Sequence, residues 1–128
     1  MANIIPFKGL RYNKEKVNDL SMVTTPPYDI ISPAEQEAYY NLHPYNVIRL
    51  ELGKEESGDH ESNNKYTRAG AYLNDWISND ILVFEEQPAL YLYEQVFTLK
   101  NGIAKSFKGF VTLVELAEFS KGIVLPHE

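Results

Sequence analysis

Residues 24 to 35 read TTPPYDIISPAE, and no other stretch of the chain restricts the backbone so tightly. Pro26 and Pro27 each hold φ near about −65°. Each also pushes the residue before it to extended geometry. Ser32 then offers an N-cap, Pro33 suits the first helical position and Glu35 completes a capping box. A helix is predicted from Pro33 to about Asn41. The stretch is a stiff arm feeding a helix, and the arm carries Tyr28 and Asp29.

The remaining elements follow from apolar spacing. Ile4-Ile5 opens like a strand and is broken by Pro6. Lys14 to Met22 is polar and mixed, with room for one helical turn. Val47-Ile48-Arg49-Leu50 reads as a strand. GKEESGDHESN, residues 53 to 63, is a polar loop and the segment expected to be most flexible. Tyr66, Ala69, Gly70, Leu73, Trp76 and Ile77 recur at helical spacing, which predicts an amphipathic helix from about Glu61 to Asn79. Ile81 to Phe84 is a short apolar run. Ala89 to Leu99 alternates, Asn101-Gly102 signals a hairpin, and Ile103 to Leu116 is the returning strand, with a bulge expected near Gly109. Gly122 to Leu125 looks like the start of a further strand. The expected fold is α+β: a mixed or antiparallel sheet, a C-terminal hairpin and two to three helices.

The 128 residues suit a single domain. An apolar run that stops just before Pro126-His127-Glu128 suggests the N-terminal fragment of a longer protein. There is no cysteine, which excludes disulfides and thiolate metal sites. No window is apolar enough to span a membrane, and the first residues do not read as a signal peptide, so a cytoplasmic location is expected. The net charge of −6 and the scattered lysines argue against a nucleic-acid surface.

A few residues could carry chemistry. Asp29 on its rigid support would suit a general base, a metal ligand or a hydroxyl contact; it would equally suit a turn in which it bonds local backbone. Tyr28 beside it is either a packed ring or a ligand contact. Arg11 and Arg49 stand near predicted strand ends, where a guanidinium could clamp phosphate or carboxylate or form a surface ion pair. His127 beside Glu128 suits acid–base work or metal binding. No paired-histidine spacing exists, so no protein-only zinc site is expected; no glycine-rich phosphate loop exists either, so a phosphate would need a helix N-terminus, and Ser32 to Glu35 offers one.

Four segments carry a resemblance. Pro6 to Tyr12, Pro26 to Pro33, Asn46 to Arg49, and Leu125 to Glu128 resemble, in order, the start of the domain-of-unknown-function family 1015. PPYDIIS is the most specific of them. That family is in turn similar to the ParB and sulfiredoxin superfamily, whose members bind nucleotides and include small-molecule kinases. The resemblance implies a nucleotide with Mg²⁺ as a candidate cofactor. The superfamily's usual Gly-Glu or Gly-His pair leading into arginines is not visible in this sequence.

Two functions fit these residues. In the first, the protein is an enzyme on a small phosphorylated or hydroxylated metabolite. Arg11, Arg49 and Tyr28 would bind it, and Asp29, His127 and Glu128 would handle protons. In the second, the domain is a non-catalytic interaction or regulatory module. Its partner would be another protein or the remainder of its own chain, reached through a tyrosine-rich strand face. Bare strand edges would also allow a homo-oligomer.

Overall fold

The computed structural model describes residues 1–126. The fold is α+β; among the described residues there are three α-helices and three two-stranded sheets in place of one continuous sheet. Contacts divide the chain into two units, residues 10–83 and residues 1–9 with those from 84 onward.

In the unit of residues 10–83, the Pro-Pro arm leads into a 3-10 turn, Tyr28–Ile30. Helix α1, Pro33–Leu42, follows with the expected capping box. The Ser32 hydroxyl accepts from the Glu35 amide at 3.3 Å, and the Glu35 carboxylate accepts from the Ser32 amide at 2.8 Å.

Val47 to Leu50 does not form a strand. Ile48–Glu51 is a single helical turn, α2. The cause is Asn46, which is fully buried. Its side-chain oxygen accepts from the Ile48 amide at 3.0 Å, and its amide donates to the Met22 carbonyl at 2.9 Å. A local side-chain partner replaces the strand ladder, and the β preference of Val47 and Ile48 is overridden.

Helix α3 spans Lys65–Ser78 and starts later than its apolar spacing predicts. Asn64 decides the start, because its side chain accepts from the amides of Tyr66 at 3.0 Å and Thr67 at 3.2 Å. The helix ends in a Schellman arrangement. Asp80 sits at φ 56°, the Ile81 amide donates to Trp76 O at 2.8 Å, and the Asp80 amide donates to Ile77 O at 3.1 Å. Residues 53–63 form a loop tied to α3 by Arg68, which grips Asp59 with both terminal nitrogens, at 2.6 and 3.0 Å.

The core of this unit is small. Trp76 is its centre, packed with Val17, Val23, Ile81 and Leu82. The rings of Tyr12, Tyr45 and Tyr72 surround the indole at 5.8 to 6.3 Å. Strand β2, Leu10–Tyr12, pairs with β3, Leu82–Phe84, beside it.

The Tyr12 hydroxyl donates to Tyr45 O at 2.8 Å. Burial, reinforced by the Glu51 carboxylate, pushes this phenol from its ordinary 10.0 up to about 12. The folded state therefore holds the neutral form longer than the unfolded state does. That contribution to stability is complete below pH 10 and is lost as pH rises through about 12. The stability advantage of the natural chain over Tyr12→Phe is expected to shrink across this window in urea titrations. An advantage that stays constant from neutral pH to the upper end of the window would contradict the assignment.

In the other unit, β1, Ile4–Ile5, pairs antiparallel with β6, Leu113–Val114. The expected long return strand is interrupted at Thr112, whose hydroxyl donates to Ile5 O at 2.7 Å. Strands β4, Tyr91–Thr98, and β5, Ala104–Val111, form the hairpin in unbroken register. The bulge expected at Gly109 is absent, since Gly109 pairs directly with Tyr93. The hairpin loop is Lys100-Asn101-Gly102, closed by the Gly102 amide donating to Leu99 O at 2.9 Å. Gly102 has φ 79°, the left-handed position of a three-residue loop.

Gly9 lies against Tyr91. The Tyr91 hydroxyl accepts from the Gly9 amide at 2.6 Å and donates to Phe7 O at 3.1 Å. A Cβ on residue 9 would stand 2.8 Å from that ring. Gly122 to Leu125 does not form a strand. Gly122, at φ 63°, closes the 3-10 turn Phe119–Lys121 and turns the backbone out of extended geometry.

Candidate functional site

The Pro-Pro arm brings one ring to a cleft. Pro26 and Pro27 set the entry to the 3-10 turn that presents Tyr28, and the side chain of Tyr28 stays 63 % exposed. It lines a cleft of about 300 Å³ together with Leu50, Glu51, Leu52, Gly53, Lys65 and Tyr66. Three sources therefore converge there: the arm, the end of α2 with the residues after it, and the first turn of α3.

Each wall has a local cause. The Asn64 cap fixes the first turn of α3, which places Tyr66 at the rim with its ring 75 % exposed. Gly53 allows close approach, since a Cβ there would meet the Cβ and carbonyl oxygen of Lys65 at 3.2 Å. The Lys65 ammonium pairs with Glu55 at 2.8 Å and stands 5.3 Å from the Tyr66 ring. The Glu55 contact raises its pKa above the ordinary value.

A second depression of about 440 Å³ shares Lys65 and Tyr66 with the first. Glu55, Glu56, Asp59 and Glu61 line it. Asp59 is held below the usual carboxylate range by the Arg68 guanidinium. Glu51 of the first cleft and Glu61 of the second have no cationic partner among the described residues. The combined surface is aromatic, partly aliphatic and acidic.

The arginines read from the sequence stand elsewhere. Arg49 donates to His43 O at 2.9 Å and Tyr40 O at 2.8 Å, with its guanidinium 4.6 Å from the centre of the Tyr40 ring. It closes the C-terminal end of α1, taking carbonyls that the helix cannot satisfy itself. Arg11 is exposed on β2 and engaged in contacts of its own. Neither lines the Tyr28 cleft, and Asp29 does not line it either. Asp29 is exposed on the same turn as Tyr28. Its carboxylate accepts no hydrogen bond among the described residues. The local capping considered for Asp29 is performed by Ser32 and Glu35 instead. His127 and Glu128 lie outside the described residues. Among the described residues, no three His, Cys, Asp or Glu side chains are grouped to hold a metal ion. No helix among them is long and apolar enough to cross a membrane.

Glu51, Gly53, Lys65 and Tyr66 were not readable as site residues. Tyr66 falls in register with the apolar stripe of α3 and so reads as core. The first turn of the helix lies beyond the core, which the stripe alone does not reveal. Asn64-Lys65, with Thr67 following, did carry a signal, because an Asn cap there would have shortened the helix and left Tyr66 at its rim.

Residues 4–128 match the family DUF1015, described as a protein of unknown function. The chain belongs to the DUF1015 family. No curated protein and no solved structure matches the chain. The matched span covers the whole of the unit of residues 10–83, all but the first three residues of the other unit, and all four segments that carry the resemblance.

Proposed function

We propose that this DUF1015 chain binds a small molecule in the cleft between the Pro-Pro-Tyr-Asp arm and α3. The observation that carries this reading is Tyr28, an exposed ring on a conformationally restricted arm that lines a concave site. Prolines lower the entropic cost of holding that ring in place. Leu50, Leu52 and Ala69 supply apolar contact, and the two tyrosines supply rings with polar tips. Asp29, on the same turn and without a partner, is the carboxylate available to accept a hydroxyl proton from a ligand that extends past Tyr28. On this reading, any enzymatic step on a hydroxylated metabolite uses Asp29 as its base.

The test is a thermal-shift screen of the chain with nucleotides, phosphoserine, hydroxy acids and amines, repeated on Tyr28→Ala and Asp29→Ala. Tyr28→Ala is expected to fold with stability within about 0.5 kcal/mol of the parent, because the ring is exposed. It is expected to bind any hit about tenfold more weakly, the equivalent of one lost aromatic contact. Undiminished binding of every hit by a folded Tyr28→Ala chain would overturn the proposal.

A specific observation also favours the interaction-module reading. The β4–β5 hairpin carries large apolar side chains on both faces. Leu92, Val96 and Phe110 are exposed on one, and Tyr93, Phe97 and Phe107 on the other. Exposed apolar patches of this kind mark interaction surfaces. Charged substitutions at Leu92 and Phe110 together are expected to abolish association with such a partner and to leave ligand binding at Tyr28 unchanged.

A further inference from the structure

We infer that the ligand of this cleft is an organic cation, an ammonium or guanidinium group on an aliphatic stem; the inference rests on the cleft being a binding site. The cleft and the depression beside it are lined by Glu51, Glu55, Glu56, Asp59 and Glu61. Lys65 is the lysine on the two walls, and no arginine lines either. Lys65 neutralises Glu55, and Arg68 reaches from α3 to Glu56 at 3.5 Å and to Asp59 at 2.6 Å. Glu51 and Glu61 are left over. An anion entering here would meet a surplus of carboxylates, whereas a cation would meet complementary charge.

The rings point the same way. Tyr28 and Tyr66 line the cleft and are exposed, and an exposed aromatic ring can offer its π-face to a cation. The chain itself shows the preference: the Lys65 ammonium stands 5.3 Å from the Tyr66 ring, and two further cations, Arg49 and Lys54, lie 4.6 and 4.4 Å from the ring of Tyr40. Leu50, Leu52 and Ala69 would receive the aliphatic stem. A phosphate ligand, by contrast, would find one ammonium on the cleft walls, Lys65, already paired with Glu55, with Arg49 committed to the carbonyls of α1.

Lys65 makes the inference sharp. It is the cation nearest the site and competes with an incoming one for Glu55 and the Tyr66 ring. Removing its charge should strengthen binding of a cation and weaken binding of an anion. A cleft that merely collects apolar molecules would respond to neither sign.

The experiment is an amide-detected NMR titration of the full chain at low and moderate salt. The probes are cadaverine, the diol of the same chain length, and glutarate, the matching diacid. Cadaverine is expected to shift the amides of Leu52, Gly53, Lys65 and Tyr66, with an affinity that falls as salt rises. Lys65→Met is expected to tighten it about threefold, and Glu51→Gln to weaken it about threefold. Nα-acetyl-lysinamide separates the two sources of such a cation: tighter binding than cadaverine means a basic side chain, and weaker binding means a free amine, with either result supporting a cation site. Shifts at the same amides from the diol or glutarate, with none from cadaverine, would overturn the cation inference and leave the cleft as a site. No shift there from any probe would overturn the cation inference, while the wider ligand screen with Tyr28→Ala decides the cleft itself.

Discussion

Trp76→Ala is expected to destabilise the unit of residues 10–83 by about 3–5 kcal/mol, the usual cost of removing a fully buried tryptophan. Trp76 is 1 % exposed and is the largest side chain of a small buried cluster that also holds Val17, Val23, Ile81 and Leu82. The rings of Tyr12, Tyr45 and Tyr72 also close on the indole. A core this small has little material with which to refill the cavity. The loss should therefore fall toward the upper end of the range, and Trp76→Phe should recover part of it. Trp76 is the single tryptophan, so urea unfolding of the variants has to be followed by circular dichroism. A loss near 1 kcal/mol would mean that the indole is not the centre of this unit.

Asn46→Leu is the second large effect, expected at about 2–4 kcal/mol even though it adds apolar volume to a buried position. Asn46 is wholly enclosed, and its side chain is the partner of both the Met22 carbonyl and the Ile48 amide. Leucine would leave two backbone groups desolvated and unpaired, at about 1–3 kcal/mol each. The backbone consequences extend further, since the Val47 amide donates to Val23 O at 2.8 Å across the same junction. Hydrogen exchange gives the diagnostic: the Ile48 amide should lose protection first, before the amides of α3. If Asn46→Leu proved as stable as the parent, the account of why α2 is helical would be wrong.

These two residues also mark where the sequence is readable and where it is not. Ser32 and Glu35 are three positions apart, and their hydrogen bonds close within one turn, so the α1 start is visible in the sequence alone. The hairpin is equally local, with its loop chemistry written in Asn101-Gly102. Trp76 falls on the apolar stripe of α3 by spacing, and it lies in the core. Asn46 defeats such reading, because a polar residue in a connecting segment gives no sign that Met22, far along the chain, will bury it. Its effect propagates to Val47 to Leu50, whose composition says strand and whose structure is helix. The placement of Arg49 follows from the same segment: with Ile48–Glu51 helical, its guanidinium meets the carbonyls at the end of α1. Of the site, the arm and Tyr28 were legible from two prolines and their neighbours. The facing wall, Gly53, Lys65 and Tyr66, is assembled by tertiary packing and was not.

The most direct measurement of the central claim is fluorine NMR on chain labelled with fluorotyrosine, with Tyr28 and Tyr66 assigned through their phenylalanine variants. The labelled chain is titrated with hits from the ligand screen. The Tyr28 and Tyr66 resonances are expected to move together and saturate at one common midpoint, while Tyr12 and Tyr45, half-buried and packed against the core around Trp76, stay fixed. Saturable shifts confined to Tyr93 and its neighbours on the hairpin, with Tyr28 and Tyr66 unmoved, would contradict it and locate binding away from the Pro-Pro-Tyr-Asp arm.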